Sequence, residues 1–117
     1  MATYSKELLS GTPADGRVIP VAATATPGTL IDTAHATSKD EEYLWASNVT
    51  AVDATLTLEW GGVTDPGDHM VKALVIPAKS PPIPIVTGVP LTNSKVVRAF
   101  SGTASAINIS GYKNRIT

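Results

Sequence analysis

Residues 53–60 read Asp-Ala-Thr-Leu-Thr-Leu-Glu-Trp, and Leu56, Leu58 and Trp60 alternate strictly with Thr55, Thr57 and Glu59. Successive side chains of a strand point to opposite faces, so this period of two predicts a half-buried strand. It places Leu56, Leu58 and Trp60 on a core and leaves Thr55, Thr57 and Glu59 in water. The run just before it, Glu42–Thr50 (EYLWASNVT), predicts a second strand, joined to the first by a turn near Ala51-Val52. Here Leu44 and Ala46 share one face while Tyr43 and Trp45 share the other. Gly61-Gly62 ends the 53–60 strand, and Val63–His69 (VTDPGDH) is a loop built on Pro66-Gly67.

Similar runs extend in both directions. Upstream lie Arg17–Ala22 and Thr29–His35, separated by the turn Thr26-Pro27-Gly28. Pro20 has no N–H, which makes the first of these an edge strand or a broken one. Ser38-Lys39-Asp40-Glu41-Glu42 is a charge run and predicts a solvated loop. Downstream lie Met70–Ile76, Ile83–Val86, Lys95–Ser101 and Ser105–Lys113, where Ile107 and Ile109 share a face. Pro84 limits its strand to pairing on one side, and Gly88-Val89-Pro90 predicts another turn. About eight short strands between Pro/Gly turns predict an all-β fold, an antiparallel β-sandwich or jelly-roll-like domain. Composition agrees: Thr, Val and Ile make up 34 of 117 residues, and β-branched side chains favour pleated sheet over helix.

The chain length fits one domain, with residues 17–117 as the sandwich and 1–16 as an N-terminal arm. Tyr4–Leu9 can form at most a turn of helix. Ser10–Gly16 (SGTPADG) is a run of turn formers. Leu8 and Leu9 on such an arm need a cover. Either they close an open end of the sandwich, or the arm stays loosely packed until it orders on another chain. Candidate partner contacts are therefore Tyr4, Lys6, Leu8 and Leu9, together with Tyr112, Arg115 and Ile116 near the other end of the chain.

Several function classes are disfavoured. Nine Lys+Arg against ten Asp+Glu leave a net charge of -1, which provides no basic footprint for nucleic acid. No apolar run reaches the roughly 18–20 residues of a membrane helix, and the first residues lack a signal-peptide core. Without cysteine there is no disulfide framework or thiolate chemistry. Asp65, Asp68 and His69 share a loop and could ligate a divalent cation, but Asp residues beside Pro-Gly ordinarily cap backbone N–H groups. No metal and no cofactor is expected. His35 and His69 are the only imidazoles, no nucleophile elbow or phosphate loop occurs, and no enzymatic activity is expected. Trp45, Trp60, Tyr43 and Tyr112 are the aromatics a sugar-binding sandwich would use, with Trp60 in phase with the core. Asn48-Val49-Thr50 and Asn108-Ile109-Ser110 match the glycosylation pattern by chance in a Ser/Thr-rich chain.

The strings Ala2–Gly11 (ATYSKELLSG), Asp15-Gly16-Arg17, Val21–Thr29, Leu58–Gly62, Val96–Phe100 and Ile109–Ile116 together resemble small virion structural proteins of tailed bacteriophages. The resemblance spans most of the chain and implies a structural role in many copies per particle. A capsid decoration (cement) protein on the major capsid lattice, made in the host bacterial cytoplasm and ending in the virion, is the leading expectation. A neck, tail or fibre-base protein is the alternative, and a sugar-binding module a further one. Partners would be the major capsid protein or another virion protein, with self-association; nucleic acid and membrane are not expected. The resemblance assigns no binding residue.

Overall fold

The alternating runs pair into two antiparallel sheets, described for residues 2–13 and 15–117 in a computed structural model. Met1 and Ala14, both in the expected arm, lie outside the described residues. There are nine strands: β1 (Tyr4–Leu8), β2 (Ile19–Pro20), β3 (Thr29–Thr33), β4 (Lys39–Asn48), β5 (Ala54–Trp60), β6 (His69–Ile76), β7 (Ile83–Leu91), β8 (Val96–Ser101) and β9 (Ile107–Ile116). One sheet runs β1-β9-β4-β7, with β2 beside β1 on the same edge of β9; the other runs β3-β8-β5-β6. The molecule is an all-β, two-sheet, sandwich-like domain without helix among the described residues.

The interior follows from parity. On β4, Asp40, Glu42, Leu44, Ala46 and Asn48 are buried and the residues between them are not. On β9, Ile107, Ile109 and Lys113 face the same way. Leu44, Ala46, Ile107 and Ile109 join Leu56, Leu58, Ile31, Val97 and Ala99 in one apolar cluster, with Trp60 packed at its margin. Each large aliphatic side chain buried there contributes about 1.5–3 kcal/mol. Gly111 sits opposite Leu44 at φ 149°, where a Cβ would strike the Tyr43 carbonyl.

Four expectations need correction. Tyr4–Leu9 does not form a helical turn: Tyr4–Leu8 is a strand paired with β9, because its alternating side chains match the register of Tyr112–Ile116. The Gly88-Val89-Pro90 turn is instead the continuation of β7. Gly88 (φ 86°) is the extra residue of a bulge against β4, and Pro90 lies on a sheet edge where no donor is needed. Residues 39–42 of the loop expected at 38–42 are instead the start of β4, with Asp40 and Glu42 fully buried. Thr57 and Glu59, expected in water, are buried as well. The 26–28 turn folds over the outer face of β5, where Gly28 N donates to Glu59 Oε1 and Thr26 Oγ1 to Oε2, both at 2.6 Å. Thr57 Oγ1 accepts the Ala73 N–H at 3.0 Å, at an irregularity of β6 where Ala73 has φ 51°.

Candidate functional site

Two groups of residues, back to back on β4 and β9, stand out chemically. The first lies on the outer face of the five-stranded sheet. Antiparallel partners share a face, so Tyr4 opposite Ile116, Lys6 opposite Asn114, and Leu8 opposite Tyr112 all project outward. Tyr112 is opposite Tyr43, and Ser110 opposite Trp45. The Tyr43 and Tyr112 rings stack with centroids 4.9 Å apart, and Trp45 lies 6.2 Å from Tyr112. Lys6 Nζ caps the stack, 4.8 Å from the Tyr112 centroid. At the other end the Tyr43 phenol lies against Gly88, where a Cβ would come within 3.1 Å of it. The rings are therefore stacked against one another and against backbone. Beside them Tyr4 and Leu8 remain 64% and 56% exposed and share the outer face.

Five of the seven candidate contacts, Tyr4, Lys6, Leu8, Tyr112 and Ile116, thus meet on one surface. The other two have opposite parity. Leu9 is buried in the core, and Arg115 points inward to Asp40.

The second group is that inward cluster, which the sequence reading missed. Lys113 Nζ donates to Asp32 Oδ1 at 2.9 Å and to the Thr33 carbonyl at 3.0 Å, and lies 3.5 Å from Asp40 Oδ2. Arg115 grips Asp40 with both prongs, Nε to Oδ1 at 2.8 Å and Nη2 to Oδ2 at 3.1 Å. The His35 N–H also donates to Asp40 Oδ2, at 3.0 Å. Ser10 donates to Asp32 Oδ1 through its N–H at 2.9 Å and its hydroxyl at 3.0 Å, which fastens the segment after β1 across the open edge of β3. Burial alone would raise the Asp40 carboxyl, but the Arg115 hydrogen bonds, the His35 N–H and Lys113 outweigh it and hold Asp40 below its ordinary value. Asp40 in turn raises Arg115. Glu42 goes the other way. Burial pushes it up, Asp32 pushes it further, and it reaches about 9.

Asp32, Asp40 and Glu42 are the one acidic group among the described residues whose ligand atoms lie within 4.8 Å of one another. The position of a cation beside them is held by the Lys113 ammonium. Asp65, Asp68 and His69 are not gathered in this way. Asp65 pairs with Lys72 at 2.7 Å, which lowers its carboxyl, and Asp68 accepts the Thr64 N–H at 3.0 Å. His69 shares the outer face of its sheet with Glu59 and is covered there, edge-on to Phe100 at 6.1 Å, with its Nδ1 3.4 Å from Asp65. His35 Nδ1 accepts the Thr37 and Ser38 N–H groups. Asn48, the first residue of one glycosylation match, is 1% exposed, and its amide donates to the Val52 and Ile76 carbonyls.

No family model matches the chain, and no curated protein or solved structure is significantly similar to it.

Proposed function

We propose that this chain is a non-enzymatic structural protein of a tailed-phage virion, a capsid decoration protein that docks on the major capsid lattice through the outer face of its five-stranded sheet. The observation that carries the docking surface is the in-register row formed by Tyr4, Leu8, Tyr112 and Ile116, with Tyr4 and Leu8 largely exposed. Tyrosine is among the side chains that most often anchor a protein interface, and apolar neighbours such as Leu8 exclude water around it. The virion assignment rests on the resemblance of the sequence strings. The same face would serve a neck, tail or fibre-base protein, with a virion partner of the same chemistry.

Outward substitution tests the surface. Tyr4→Ser and Leu8→Ser together should leave folding intact and abolish co-sedimentation with capsids; unchanged co-sedimentation would refute the docking face. Location follows from quantitative mass spectrometry of purified particles. Decoration requires on the order of hundreds of copies, and a symmetric neck or tail ring about a dozen.

A further inference from the structure

The inward cluster has an unbalanced charge count. Asp32, Asp40 and Glu42 would supply three negative charges, while Lys113 and Arg115 supply two positive ones. The hydrogen bonds are unbalanced in the same place. Both oxygens of Asp40 and Oδ1 of Asp32 take donors. Asp32 Oδ2 and both oxygens of Glu42 take none, although both residues are 0% exposed. Two buried carboxylates side by side with no donor for the oxygens between them are strongly disfavoured. A single hydrogen between them removes both faults.

We propose that Glu42 and Asp32 hold one proton between them, with Glu42 as a neutral carboxylic acid donating its O–H to Asp32 Oδ2. The cluster is then a binding site for one proton, and with it the five side chains are neutral overall. A metal ion is a poorer occupant, because the Lys113 ammonium already lies 2.9 Å from Asp32 and 3.5 Å from Asp40. The charged groups facing the pair are Asp40 on β4 and Lys113 and Arg115 on β9; Glu7 on β1 reaches the cluster only through Arg115, at 3.8 Å. This inference is independent of the virion reading.

The consequence has a definite sign. The Glu42 carboxyl sits at about 9 in the folded protein, against an ordinary value of 4.5 in the unfolded chain. Its stabilisation is complete below 4.5 and is lost as pH rises towards about 9, above which the native cluster is ionised. Across that window the folding constant contributed by this site falls about tenfold per pH unit.

Glu42→Gln keeps the shape and a donor but cannot ionise. Denaturation of wild type and Glu42→Gln between pH 5 and pH 9 should show the stability ratio shifting in favour of the variant by about tenfold per unit. Parallel curves would overturn the proposal. The infrared spectrum of the wild type provides a second readout that does not depend on the variant folding. A protonated-carboxyl C=O band should be present at neutral pH and should vanish in alkali; its absence at neutral pH would also overturn the proposal. So would stabilisation by added Ca²⁺ or Mg²⁺ in wild type but not in Glu42→Gln, since a cation would then fill the site.

Discussion

Towards one end of the interior β4 and β9 turn Leu44, Ala46, Ile107 and Ile109 inward; towards the other the same strands turn in Asp40, Glu42, Lys113 and Arg115. Both stretches are buried between the same two sheets. The apolar stretch is held by contact area, which is undirected and indifferent to pH. The ionic stretch is held by a few directed bonds, and each group there is costly once its partner is gone. The first kind of core tolerates graded loss. The second fixes which side chains must meet, and it ties Ser10 to β3 and so the N-terminal segment to the sandwich.

The sharpest way to break this contrast is to remove the central cation. Lys113→Met should cost about 3–5 kcal/mol in chemical denaturation, because Asp32 is left buried without its partner. A loss below about 1 kcal/mol would mean that the ionic end is as forgiving as the apolar one. Leu58→Ala at the apolar end should cost about 2–5 kcal/mol, and by the same amount at pH 5 and pH 8. Arg115→Met comes next, at about 1.5–3 kcal/mol for the lost charged hydrogen bonds. Its effect should shrink in acid. Asp40 is held below its ordinary value of 3.8, so its stabilisation is present above that value and is lost as pH falls through its lower folded value. Tyr4→Ser, on the exposed outer face, should change stability by no more than about 0.5 kcal/mol in the same measurement. Stability and attachment would then be read from opposite sides of one sheet.

Much of this was legible in the sequence, but not the ionic end. The alternation of Leu56, Leu58 and Trp60, the face shared by Leu44 and Ala46, and the turns at Pro and Gly gave the two-sheet architecture. The same parity, extended backwards from Leu44, puts Glu42 and Asp40 inside; extended forwards from Ile109, it puts Lys113 and Arg115 there too. Reading Asp40-Glu41-Glu42 as a solvated run let charge override parity. Charge wins when a group is alone, and loses when the facing strand supplies its counterion across the ladder. Glu59 was missed for a different reason. Its burial depends on the 26–28 turn closing over it, a tertiary event that no local pattern in β5 announces.

The pairing of β1 with β9 has a consequence for how the chain is closed. The Thr3 N–H donates to the Thr117 carbonyl at 2.9 Å, and the Thr117 N–H returns a bond to the Thr3 carbonyl at 2.8 Å. Thr3 and Thr117 already lie as neighbours on a ladder, so a short peptide linker could join these two residues beside the sheet. A new opening at the Pro66-Gly67 tip, where a Cβ on Gly67 would touch nothing within 4 Å, leaves every strand intact.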